Sequence, residues 1–310
     1  MDRENGEMAA KQFLKILTIG NSFTDCLACC FPDVVASAGC GLLWDRASHS
    51  GCELHRHWSY IEFEERDPAA RLYQEPRVKL RDILRRESWD IVTIQQGGRE
   101  SWRQELYQPY ASNIYAHIRK YAPQAEVVIQ QTWAYRADDP RIMPGGAWGF
   151  DQTGMYERLT GAYRKLASEL NLRVIPTGYA VQLARQEQPF HFKNYDPALL
   201  DSLHWPDLPQ QAGSLVGRIW WQKDENGRLR MLRDTIHLNV RGQYLQACVW
   251  FAFLYGRPVS EIRFVPDGIA DADAAFLRGI AQRAVDGFEQ VGIRRTGEDE
   301  ILRSEAERQD

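Results

Sequence analysis

Three residues have the types, and two of them the spacing, to cleave an ester together: Ser22, behind Gly20-Asn21, and the late pair in Asp234-Thr235-Ile236-His237. A serine hydroxyl alone is a weak nucleophile. A histidine that takes its proton and a carboxylate that orients that histidine make it one that attacks an acyl carbon. The spacing of three lets one short turn in a loop present Asp234 and His237 together. Each residue singly has a plainer role: Ser22 as a helix N-cap, Asp234 as another cap, His237 as a hydrogen-bonded interior histidine. Taken together, at the two ends of one chain, the three fit a Ser-His-Asp hydrolase.

For these side chains to meet, both ends of the chain must reach one rim of the fold. Residues 13–19 (FLKILTI) form a short apolar run ending at Gly20, the pattern of a buried parallel strand. A helix is expected over 24–38, stopping at Gly39. Further strands read at 41–47, 89–95, 126–132 and 172–176, and helices at 53–64, 78–86, 107–121, 156–170, 241–255 and 271–291. This alternation predicts a five-stranded parallel sheet covered on both faces, a three-layer α/β/α sandwich; the strand order expected for it is the flavodoxin-like 2-1-3-4-5. Ligands in such sheets bind beyond the carboxyl ends of the strands. Ser22, Ser50-Gly51, Gln95-Gln96 and Thr132 to Tyr135 all fall there.

One domain is expected over residues 12–292, with 1–11 and 294–310 flexible. Between about 185 and 233 the rhythm breaks into Pro-, Trp- and His-containing sequence, read as an insertion or lid over the site. Within it, residues 217–221 and 228–232 flank Asp224-Glu225-Asn226-Gly227, a hairpin turn because Asn-Gly tolerates positive φ.

Composition narrows the function classes. An apolar fraction of 44% with 26% charged residues is that of an ordinary globular protein. A formal charge of −4 gives no electrostatic case for nucleic acid. No apolar stretch approaches the roughly 20 residues that span a bilayer, and the first residues mix acids and bases, so no membrane partner and a cytoplasmic setting are expected. The six cysteines read as reduced thiols, and Cys26-x-x-Cys29 lacks a second ligand pair for zinc. His49, His55 and His57 crowd one region, but residues two apart on a helix diverge, and no HExxH is present. Neither a metal nor another cofactor is expected.

The blocks Ile19-Gly20-Asn21-Ser22-Phe23, Gly51-Cys52-Glu53-Leu54, His57-Trp58, Ile94-Gln95-Gln96, Gln131-Thr132-Trp133-Ala134-Tyr135 and Asp234 to Leu238 resemble the SGNH/GDSL hydrolases. Within that superfamily they are similar to a bacterial branch usually left as a domain of unknown function. The resemblance covers most of residues 13–256, with Asn21 where many members have Asp. It implies a carboxylic ester hydrolase in which Ser22 is the nucleophile, His237 the general base and then acid, and Asp234 its orienter. It also implies an oxyanion hole built from the Ser22 N–H, a block-two glycine, here Gly51, and a block-three asparagine side chain. Block three departs from the pattern, because Ile94-Gln95-Gln96-Gly97-Gly98-Arg99 has no asparagine. Gln96 is the expected replacement, Gln95 being the more committed to the core; if Gly97 aligns with the block-three glycine, Arg99 takes that place.

Asn21, Gln95, Trp133 and Tyr135 are expected to line the substrate pocket. The substrate class is a small-molecule or carbohydrate ester, with acetyl among the acyl groups. Trp58, Trp102, Trp133, Tyr135 and Trp148 near the rim suit a sugar face, although core or lid packing is the plainer role of tryptophan. Arg99, Arg136 and Arg141 could meet an acidic group, with a solvated face as the plainer reading. Two alternatives stand beside the esterase: a carbohydrate-binding or regulatory protein that kept the fold without turnover, and a thioesterase or lysophospholipase using the same three residues.

Overall fold

The computed structural model describes residues 12–74, 77–195 and 198–288. The first apolar run forms β1 (Phe13–Gly20), whose last five residues are buried. It is joined by β2 (Gly41–Ser48), β3 (Ile91–Ile94), β4 (Glu126–Gln130) and β5 (Val174–Ile175) in one parallel sheet ordered β2-β1-β3-β4-β5. All four residues of β3 are buried. A strand covered on both faces has no polar side to alternate with, which is why it reads as a continuous apolar run.

Right-handed crossovers distribute the helices. One group of α3 (Leu54–Arg66), α4 (Leu80–Arg86) and α5 (Tyr110–Tyr121) packs together, and α6 (Gln152–Leu170) makes the crossover from β4 to β5. The other group is α2 (Phe31–Ser37), α7 (Thr177–Glu187), α9 (Val240–Tyr255) and α10 (Asp271–Gly287). α9 is buried almost all round from Gly242 onward, as its unbroken apolar sequence demands. The result is the expected three-layer sandwich. Buried residues from Ile16 to Phe288 form one connected core.

Several elements differ from the sequence reading. The helix expected over 24–38 is broken into α1 (Ser22–Asp25), a 3-10 turn at Cys26–Cys29, and α2 with Pro32 in its first turn. Proline lacks an N–H and opens a helix far more readily than it continues one. Pro109 likewise delays α5 to Tyr110. α7 was not anticipated, so the irregular insertion begins after Glu187 rather than at 185. It contains α8 (Ala198–Ser202) and ends in an antiparallel hairpin of β6 (Val216–Lys223) and β7 (Leu229–Leu238), longer than expected. The hairpin turns at the anticipated place, with Gly227 at φ +75°. The expectations for residues 1–11 and 294–310 lie outside the described residues. No helix among the described residues is long and apolar enough to cross a membrane.

Candidate active site

β1 ends at Gly20, and Asn21 caps the short helix that follows. Its Oδ1 accepts from the Phe23 N–H at 3.0 Å, and its Nδ2 donates to the Cys52 carbonyl at 2.8 Å. The cap is therefore Asn21 and not Ser22, which frees the Ser22 hydroxyl from backbone duty. At the far end of the chain Asp234 and His237 sit in the final stretch of β7, not in a loop as their spacing suggested. The Asp234 Oδ1 accepts the amides of Ile236 at 2.8 Å and His237 at 3.0 Å. That bends the strand end so that Asp234 Oδ2 lies 2.8 Å from His237 Nδ1, while His237 Nε2 lies 2.8 Å from Ser22 Oγ. With the carboxylate accepting from Nδ1–H, the neutral ring's Nε2 is left to accept the serine proton.

Burial would by itself raise the Asp234 pKa. The hydrogen bonds from the His237 ring and from the His237 and Ile236 amides outweigh it and hold the carboxyl down at about 2. The folded-state pKa is below the unfolded value of roughly 3.9, so the ionised carboxylate stabilises the fold fully above that value and progressively less as pH falls toward 2. Urea midpoints measured from pH 5 down to 2 should fall for the native chain, and Asp234→Asn should flatten part of that fall.

The loop after β4 fastens the Asp234–His237 end of the hairpin. Trp133 Nε1 donates to the Ile236 carbonyl at 2.8 Å, the Arg136 amide to the Thr235 carbonyl at 2.9 Å, and Thr235 Oγ1 to Asp139 Oδ2 at 2.6 Å. From the other strand Gly217 sits at an irregularity in the β6–β7 register, with φ +74°. A Cβ there would come 2.2 Å from the Asp234 carbonyl. Gly217→Ala should thus displace the Asp234 backbone, costing roughly 1–3 kcal/mol of stability and lowering any activity that depends on Asp234. Urea unfolding and ester hydrolysis measured on the same preparation check both effects.

A cleft of about 410 Å³ opens over this chain of contacts, walled by Ser22, His237, Gly51, Gly98, Arg99 and Tyr135. Among the described residues, neither the Ser22 nor the Gly51 amide hydrogen has a protein partner. Gly51 is exposed and sits at φ +59°, a conformation glycine adopts without strain.

The two glutamines do not face the cleft. Gln96 is fully buried, its Oε1 accepting from the Leu54 and Gly97 amides at 2.9 and 2.8 Å and its Nε2 donating to the Leu106 carbonyl at 3.1 Å. Gln95 donates to Asn21 Oδ1 at 2.7 Å and accepts from Thr24 Oγ1 at 2.6 Å. Both side chains satisfy loop groups that would otherwise be buried without partners. The expectation that Gln96 donates to an oxyanion is corrected accordingly, and Arg99, exposed on the cleft wall, is the block-three side chain that reaches it.

Of the expected pocket residues, Tyr135 lines the cleft, and Asn21 does so with its amide already committed. Trp133 does not. It is buried, stacked on Phe23 with ring centres 4.3 Å apart. Trp102 and Trp148 pack on each other and on Phe150. Arg136 and Arg141 are not a solvated face but pair with Asp138 and Asp139.

Two residues have roles that the sequence reading did not assign. Phe23 sets its ring edge-on to His237 at 5.6 Å, with only its position next to Ser22 to hint at it. His57 is buried, with Nε2 3.0 Å from the Gly20 carbonyl and Nδ1 3.1 Å from the Tyr73 hydroxyl. Burial, reinforced by the neighbouring His49, lowers its pKa to about 3. It is a neutral strut under the Ser22 loop, while His55 turns toward Glu100 at 3.4 Å.

Over 90% of this chain and 98% of the other, the fold is similar to the crystal structure of a DUF4886 family protein from Bacteroides uniformis, at 23% identity and a TM-score of 0.68. A member of the lipolytic protein G-D-S-L family from Veillonella parvula is similar over 78% of this chain and 98% of its own, at 13% identity and a TM-score of 0.41. No curated protein matches the chain. The model of the family described as Domain of unknown function (DUF4886) matches residues 15–196, a span that holds Ser22, Gly51 and Arg99 and stops short of Asp234 and His237. That match covers more than half of the sequence, and the chain belongs to the DUF4886 family.

Proposed function

We propose that the protein is a serine esterase of the SGNH type, acting on an acyl ester of a small molecule or carbohydrate. The observation that carries the reading is the pair of 2.8 Å contacts linking Ser22 to His237 and His237 to Asp234. His237 Nε2 takes the serine proton as Oγ attacks the acyl carbon, and Asp234 stabilises the imidazolium that forms. The imidazolium returns the proton to the departing alcohol. Water then repeats the sequence on the acyl-serine and releases the acid. The Ser22 and Gly51 amides are the backbone donors for the oxyanion, and Arg99 takes the place of the missing asparagine.

Removing one oxyanion donor typically costs about 10²–10³ in kcat. Arg99→Ala should fall at the lower end of that range with KM little changed, whereas Gln96→Ala should loosen the fold with no selective loss of kcat. An unchanged kcat in Arg99→Ala removes the arginine from the role.

Ser22 also borders a second recess of about 670 Å³, lined by Asp25, Asp45, Ser48, Ser50 and Gln74 among others. Such a polar trough suits a hydroxyl-rich alcohol, which favours acylated sugars or polyols. A fluorophosphonate probe followed by peptide mapping tests the whole reading: labelling should fall on Ser22 alone. Comparison of acetylated sugars with acyl thioesters and lysophospholipids then ranks the substrates. A chain that takes no label and turns over none of these is a binding protein on this fold.

A further inference from the structure

Beside the 134–139 loop, between it, the end of α7 and the start of the insertion, lies a recess of about 200 Å³. Arg136, Gln152, Arg185, His191 and Ser214 are among its walls, and among the described residues no acidic side chain lines it. Arg185 donates through Nη2 to the carbonyls of Ala134 at 2.9 Å and Tyr135 at 3.2 Å, and it has no carboxylate partner among the described residues. Carbonyl dipoles soften a guanidinium charge without cancelling it. Removal from water lowers the Arg185 pKa to about 9, so it stays a cation at neutral pH.

Among the described residues, the surrounding charges do not balance either. Arg136 forks onto Asp138 at 2.6 and 3.0 Å, and Arg233 meets the same carboxylate at 3.1 Å. Arg141 forks onto Asp139 at 2.7 and 2.6 Å. Among the described residues, four guanidiniums thus contact this loop against two carboxylates. Arg136 Nη1 and Arg233 Nε are buried with no hydrogen-bond partner among the described residues. A buried region holding surplus positive charge is costly unless a counter-charge arrives.

We propose that this recess binds a small dianion of the phosphate class, gripped by Arg185 with the exposed His191 beside it. The surplus charge sets the valence of the ligand. The volume sets its size, since pockets for drug-sized ligands are larger, about 300–1,000 Å³. Occupancy would brace the 134–139 loop, whose Arg136 amide holds the Thr235 carbonyl next to Asp234. The site is independent of the esterase reading, because neither Ser22 nor His237 takes part in it.

The test uses the full chain and its Ser22→Ala variant, titrated with sodium phosphate against sodium chloride at matched ionic strength. Thermal unfolding and the 31P line width are followed. Both proteins should show a saturable rise in melting temperature, on the order of 5 °C at a hundredfold excess over Kd, together with 31P broadening reversed by sulfate. Arg185→Gln should abolish both signals. Should that variant not fold, His191→Ala, at an exposed position, should weaken phosphate binding by roughly tenfold. Arg99→Ala must keep the effect; if it does not, the anion sits in the main cleft and the proposal fails. It fails equally if chloride matches phosphate, or if Arg185→Gln or His191→Ala binds like the native chain. Phosphate binding without phenyl phosphate binding identifies the free ion, and equal binding of both identifies a phosphorylated small molecule; either upholds the site.

Discussion

Ser22→Ala should reduce ester hydrolysis by roughly 10⁵- to 10⁶-fold and abolish fluorophosphonate labelling, with the fold intact. The magnitude follows from serine hydrolases in which removal of the nucleophile alone costs about as much as removal of every catalytic side chain. The fold should survive because Ser22 is only half-buried and, among the described residues, its hydroxyl bonds to His237 alone, while Asn21 supplies the helix cap. A melting temperature within a degree or two of the parent separates a chemical loss from a structural one. If the variant still hydrolyses p-nitrophenyl acetate at a tenth of the native rate, the nucleophile lies elsewhere.

The second large effect should come from Asp234→Asn, a loss of roughly 10⁴-fold in kcat. Asparagine can still accept the Ile236 and His237 amides through its carbonyl oxygen, so the bend at the end of β7 is preserved. What changes is the group facing His237 Nδ1. An amide N–H there demands an acceptor, the ring answers with its other tautomer, and Nε2 then carries the hydrogen that it should be taking from Ser22. The geometry stays and the proton transfer fails. Single-turnover acylation with a chromogenic ester reads the step directly. A variant retaining more than a tenth of the native acylation rate would show that the carboxylate does not set the tautomer.

The parts of this arrangement that depend on period and order were legible before folding. β1 and β3 announce themselves as short apolar runs because both faces of their sheet are covered, and the parallel direction of the strands follows from the helical crossovers between them. The Asp234–His237 pair was legible from its spacing. α7 was not, because Pro176 stands at its start and its buried face is built largely from small residues, Gly178, Ala180 and Ala184, which carry little hydrophobic signal. Gln96 was expected at the cleft for a related reason. β3 ends at Ile94, so the in-and-out alternation that would sort Gln95, Gln96 and Arg99 no longer applies. Trp133 resembled a binding platform for want of any local sign that its indole N–H bonds to a carbonyl 103 positions away.

The serine is rooted in the central region of a five-stranded sheet, whereas the imidazole hangs on a separate two-stranded ribbon. Such ribbons have little stability of their own, and this one is secured near Asp234 and His237 by the bonds from Trp133, Arg136 and Thr235. Displacing His237 therefore asks that those fastenings let go and that Leu238, buried in the core beside it, loosen as well, a sub-global opening that leaves the layered body standing. Heat, denaturant or a crowding partner that peels the ribbon away would silence the chemistry while spectroscopic measures of helix and sheet still report a native protein.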